Sequence, residues 1–138
     1  MITFIDSSVL LRKLFGEANS LKEWSQISQA FASRILILEI GRVIDRTRLN
    51  GQIDDQQVES LHQEARRVLH SIDVIALTDN ILTRAAGPMP TVLGSLDAIH
   101  LATAIELQSN LENELVLATH DTQLARAARA SGFEVIGV

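Results

Sequence analysis

The chain has 138 residues, no cysteine, 46% apolar and 21% charged side chains, and a formal net charge of −5. That length suits one domain with a proper core and is too short for two, so residues 1–138 are read as a single domain. The composition excludes a disulfide framework, thiol catalysis and cysteine-ligated zinc; no apolar run reaches the ~18 residues of a membrane span, and the acidic balance argues mildly against a passive nucleic-acid binder.

The chain opens directly on a strand-like Ile2-Thr-Phe-Ile5, with no basic region and apolar stretch of a signal peptide. A cytoplasmic protein is expected, with no membrane partner. Asp6-Ser-Ser8 stops the strand, and Val9, Leu10, Leu11 and Leu14 follow at helical spacing until a break at residues 16–20. Leu21, Trp24, Ile27, Ser28 and Phe31 again fall at helical spacing and predict a second helix. Ser33-Arg34 starts a helix over Ile35–Leu49, closed by Asn50-Gly51. Asp54 caps the next, with Gln57 in capping-box position and Val58, Leu61, Ala65, Val68 and Leu69 on one face.

Residues 72–77 read as a strand, 80–86 as a short helix, and 87–94, with two prolines and two glycines, as a loop. Ser95 is then placed as the N-cap of a buried helix whose first turn carries Asp97. Residues 115–118 form an apolar strand, 121–131 a helix ended by Gly132, and 133–138 a last strand. Short apolar strands alternating with helices predict a three-layer α/β/α sandwich around a mostly parallel sheet, with ligands bound beyond the carboxyl ends of the strands.

Four acids stand out against that layout. Asp6 ends the first strand, Asp121 lies just past the strand 115–118, Asp97 opens its helix, and Glu39 interrupts the apolar run 35–40. Each has a plain alternative. Asp6 and Asp121 can cap the helices that follow them, Asp97 can sit on the helix dipole, and Glu39 can pair with Arg42 or Arg46. The alternatives leave the joint placement unexplained. Carboxylates at two strand ends and two helix positions offer the oxygen donors that Mg²⁺ or Mn²⁺ takes, and such an ion activates water and stabilises charge in phosphodiester hydrolysis. Ser8 and Thr119, each two residues from an acid, could orient a carboxylate, or could be simple turn residues.

With Asp6-Ser-Ser8, Glu39, Leu96-Asp-Ala-Ile-His-Leu-Ala-Thr-Ala104 and Thr119-His-Asp121, the sequence resembles a PIN domain, most of all the short toxins of the VapC type. The resemblance runs the whole chain, including the tail 124–135. It implies a metal-dependent endoribonuclease in which Asp6, Glu39, Asp97 and Asp121 hold one or two Mg²⁺ or Mn²⁺ ions and Ser8 lines the site. It further implies an RNA substrate, a homodimer, and a small antitoxin partner. Asp121 falls at the family's most variable acid, and the first motif departs in its Asp-Ser-Ser form while keeping the hydroxyl at position 8.

Arg42 and Arg46 follow Glu39 on one helix face, where either can meet substrate phosphate or simply be solvated. His100, one turn after Asp97 in an apolar helix, is read as a packing residue, and His120 as able to reach substrate. The segments 21–31 and 54–69 could serve a dimer, the antitoxin or plain core. A response-regulator receiver is excluded because the last lysine is Lys22, and an Asp-x-Asp phosphatase because Ser8 takes the second place. A PIN-fold binding partner without turnover and a housekeeping RNA-processing nuclease stay open.

Overall fold

In the computed structural model, which describes residues 1–138, the first strand shows how the layers form. Phe4 and Ile5 in β1 (Ile2–Ile5) are both fully buried and, as neighbours on a strand, point to opposite faces. A strand buried on both faces needs cover on both, and parallel pairing with helical crossovers supplies it. The other strands are β2 (Gln29–Ser33), β3 (Asp73–Ile75), β4 (Val116–Ala118) and β5 (Glu134–Ile136). All pair in parallel, in the order β3-β2-β1-β4-β5.

The helices are α1 (Ser7–Leu14), α2 (Ile35–Leu49), α3 (Asp55–Leu69), α4 (Asp79–Ala86), α5 (Ser95–Gln108) and α6 (Thr122–Ala130). Ile5, Ala30, Ala32 and Ala118 face one core with Val9, Leu10, Leu36, Ile40, Ile44 and Ala65 from α1, α2 and α3. Phe4, Phe31 and Leu117 face the other, with Leu101, Ala104, Leu124 and Ala128 from α5 and α6. The three-layer sandwich expected from the sequence is therefore the observed fold.

The predicted helix over 21–31 is not there. A 3₁₀ turn occupies Lys22–Gln26, and β2 follows, hydrogen-bonded between β1 and β3. Its core, Ala30-Phe31-Ala32, has no β-branched residue to announce a strand. The apparent stripe was coincidental: Leu21 and Trp24 pack into the α1–α3 core, whereas Phe31 lies across the sheet in the other. The strands at residues 72–77, 115–118 and 133–138 are shorter than predicted. The N-cap of α5 is Gly94, whose carbonyl accepts from the Ala98 amide at 2.9 Å, so Ser95 is already helical and Asp97 still lies in the first turn.

The chain runs from β1 outward to β2 and β3, then crosses back to β4 and β5 on the other side of β1. This reversal opens a crevice beyond the carboxyl ends of β1 and β4, where this fold class binds ligands. The end of β5 is laid against the same place. Thr119 donates its backbone N–H to the Ile136 carbonyl at 3.1 Å, and the His120 ring bonds the Gly137 carbonyl through Nδ1 at 2.6 Å. Gly137 has φ +97°, and a Cβ there would stand 2.5 Å from the Thr119 carbonyl oxygen. Gly137→Ala is therefore expected to cost about 2 kcal/mol in urea unfolding. An unchanged midpoint would mean that this strand end does not rest on Thr119.

Candidate active site

Asp6 is only 2% exposed, a carboxylate at the end of the central strand. It caps α1, with Oδ1 accepting from the Val9 amide at 3.2 Å. The Ser8 hydroxyl donates to Oδ1 at 2.6 Å, and the Thr119 hydroxyl donates to Oδ2 at 2.7 Å. Both hydroxyls also accept from the loop after β4. The His120 amide donates to Ser8 Oγ at 2.8 Å, and the Asp121 amide to Thr119 Oγ1 at 2.9 Å. A backbone N–H can only donate, so each hydroxyl proton is left to point at Asp6. The two hydroxyls thus tie the end of β1 to the end of β4. Burial pushes the Asp6 pKa above the ordinary carboxylate value, and these hydrogen bonds pull it back.

Asp121 caps α6, its Oδ1 accepting from the amides of Gln123 and Leu124 at 2.8 and 2.9 Å. Glu39 reaches in from α2, its side chain 14% exposed. Its Oε1 lies 2.5 Å from His100 Nε2, and its Oε2 accepts from the Ser7 hydroxyl at 3.0 Å. Asp97, in the first turn of α5, is half-buried. Its pKa is raised to about 6, first by desolvation and then by repulsion from Asp121, Asp6 and Glu39, against a pull from His100. Asp97 is therefore close enough to the other three acids to feel their charge.

This charge excess and the oxygen-only donor set fit a hard divalent cation. As the side chains lie, no three carboxylate or imidazole groups stand close enough to share one ion. Asp6 and Glu39 have both carboxylate oxygens turned to protein donors, and Asp121 has one.

Arg42 does not reach Glu39. It pairs with Asp45 at 3.1 Å, and Arg48 pairs with the same carboxylate at 2.9 Å. Arg46 is exposed. His120 uses its ring on the Gly137 carbonyl and its amide on Ser8. The residues that sequence reasoning missed are Ser7 and the polar contact of His100. Glu39 and His100 are each the charge-bearing residue that packing in their own helix does not ask for, and that shared oddity was the available signal.

A family model described as PIN domain matches residues 3–130. Ribonuclease VapC47 of Mycobacterium tuberculosis is 30% identical over 137 residues, covering 94% of this chain and 92% of its own. Ribonuclease VapC46 of the same species is 38% identical over 78 residues, covering 56% of this chain and 58% of its own. The fold is similar to that of a toxin-antitoxin complex from Klebsiella pneumoniae, with a TM-score of 0.66 and 21% identity over 97% of this chain and 95% of that one. It is equally similar to VapBC2 from Rickettsia felis bound to a DNA fragment from their promoter, at TM-score 0.66 and 12% identity over 98% and 97% of the two chains.

Two stability measurements check this geometry. Thr119→Val removes a donor from buried Asp6 and leaves the Asp121 amide without its acceptor, and is expected to cost about 1–3 kcal/mol in urea unfolding. Asp97 binds its proton more tightly folded, with a pKa of about 6, than at the ordinary 3.8. Stability from this residue is full below pH about 4 and is lost as pH rises through about 6. With EDTA present, Asp97→Asn is therefore expected to be more stable than wild type at pH 7 by about 1 kcal/mol, discounted because the side chain is partly open to solvent. The gain should fade as pH falls from 6 to 4. A variant less stable than wild type at pH 7 would mean that Asp97 is not under this charge stress.

Proposed function

The chain belongs to the PIN domain family, and on that footing we propose that it is a metal-dependent endoribonuclease, the toxin of a type II toxin–antitoxin pair. What supports the reading is placement: Asp6 ends β1, Asp121 follows β4, Asp97 opens α5, Glu39 lies near the start of α2, and Asp97 feels the charge of the other three. These four are the residues that would hold Mg²⁺ or Mn²⁺. Such an ion supplies activation of water and neutralisation of charge on the phosphate.

The chain's own residues do the positioning. Ser8, Thr119 and the Val9 amide aim Asp6. The cap on α6 aims Asp121, and His100 with Ser7 aims Glu39. Asp97 takes no hydrogen bond from a protein donor, and repulsion from the other three acids, which helps raise its pKa, is what a cation would relieve. Arg46 lies seven residues beyond Glu39, about 10 Å along α2. We assign it to a phosphate flanking the scissile one, and Arg42, held by Asp45, to the surface.

An antitoxin partner and a homodimer belong to the same reading. What supports a partner is an apolar rim at the carboxyl end of the sheet. Ile37 and Leu38 in the first turn of α2, with Val92 and Leu96 at the entry to α5, are between 44% and 84% exposed. The four relatives and structures named above are ribonucleases or toxin–antitoxin assemblies. No helix is long and apolar enough to cross a membrane.

Purified protein incubated with total bacterial RNA and Mg²⁺ or Mn²⁺ is expected to yield discrete fragments. EDTA should abolish them, and Asp97→Asn should reduce the rate at least about 100-fold. Equal behaviour of wild type and Asp97→Asn would remove the four-carboxylate site and leave a PIN-fold binding partner as the reading.

A further inference from the structure

His100 is fully buried, yet its ring has one polar partner, the Glu39 carboxylate, reached through Nε2 at 2.5 Å. Nδ1 bonds nothing, and Phe4 meets the ring edge-on with centroids 6.4 Å apart. Glu39 belongs to α2, on one face of the sheet, and His100 to α5, on the other. The contact therefore crosses over the carboxyl edge of the sheet, beside the crevice that holds Asp6 and Asp97. A carboxylate only accepts, so Nε2 is the donor.

We propose that His100 is a positioning residue that fixes the Glu39 carboxylate toward the other three acids across the edge of the sheet. The inference rests on the reading of Glu39 as a member of the nuclease site. The physical case is one of freedom. A glutamate reaching from α2 has three side-chain torsions to settle, and the apolar run around it offers no hydrogen bond. Ser7 on one oxygen and His100 on the other leave one orientation. Ser7 stands at the start of α1, next to Asp6, so both donors belong to elements that already carry an acid of the site. A ring packed by Phe4 and wholly buried is a far stiffer donor than a solvated side chain, and outer partners of this kind commonly change metal affinity 10–100-fold when removed.

The test compares two amides of different reach. The amide nitrogen of His100→Gln extends to about the place of Nε2, whereas that of His100→Asn stops at about the place of Nδ1. Both variants are measured for Mn²⁺ binding by calorimetry and for RNA cleavage, with folding checked by circular dichroism. His100→Asn is expected to weaken Mn²⁺ binding about 10–100-fold and to lower kcat, with KM for RNA nearly unchanged. His100→Gln should recover most of both. In a Glu39→Gln background, His100→Asn should add little, because the histidine acts through that carboxylate. Equal losses in Asn and Gln, or full retention in both, would overturn the proposal, and so would an undiminished effect without Glu39. Should His100→Asn fail to fold, Ser7→Ala removes the other donor of the same carboxylate and is expected to weaken Mn²⁺ binding in the same direction; unchanged binding would count against the proposal. Wild-type protein that neither binds Mn²⁺ nor cleaves RNA would instead reject the nuclease reading itself, before His100 is at issue.

Discussion

A carboxylate buried at the end of the central strand is the constraint around which this structure is arranged. Burying an ionised group costs several kcal/mol unless it is paired or hydrogen-bonded. Asp6 has no cationic side chain bonded to it; it has two hydroxyls and one amide. Charge-assisted hydrogen bonds are worth about 2 kcal/mol each, so three of them offset part of that penalty, and the Asp6 pKa stays above the ordinary carboxylate value because burial outweighs them. Each hydroxyl donor is in turn oriented by a backbone amide of the loop after β4. The residue that carries the charge and the loop that carries Asp121 are thus settled by the same bonds. Losing one hydroxyl would disturb two acids rather than one.

The same economy of placement explains why α2 and α5 meet over the sheet edge. Each contributes one acid, and each would otherwise belong only to its own layer. Glu39 and His100 form the polar link between the layers. The outcome is a frame in which the pKa of Asp6 is raised mainly by burial, and that of Asp97 by burial and by repulsion from Asp121, Asp6 and Glu39. On the proposed reading, a bound cation would relieve the repulsion that Asp97 feels.

Much of this was legible in the residues. Asp6, Thr119 and Asp121 flank the ends of strands that are short apolar runs, and the expected fold class puts such ends at a ligand crevice. The capping functions read for Asp6, Asp54 and Asp121 are all present, and for Asp6 and Asp121 the cap is compatible with a place in the proposed site rather than a rival to it. What stayed hidden depended on tertiary context. β2 is a strand because β1 and β3 pair with it, and Ala30 and Ala32 are small because α1 and α2 press on that face. The partner of His100 lies 61 residues away on a helix across the sheet, a distance at which local pattern carries no information. The alternative pairing of Arg42 with Glu39 fails for a local reason: a carboxylate three residues on, Asp45, takes the guanidinium instead.

The charge balance of the chain bears on how such a site could meet a polyanion. A net charge of −5 with an acidic crevice repels RNA at long range, but at physiological salt that repulsion decays over about 8 Å. Inside the crevice screening is weak and four carboxylates would exclude a phosphate outright. A divalent cation held there, as proposed, would reverse the sign where the phosphate must sit. On that reading, affinity for RNA depends on metal occupancy and on contacts such as the one proposed for Arg46. The exposed apolar rim beside that crevice, Ile37, Leu38, Val92 and Leu96, suits apolar side chains of a partner, which would close the site without needing a basic groove.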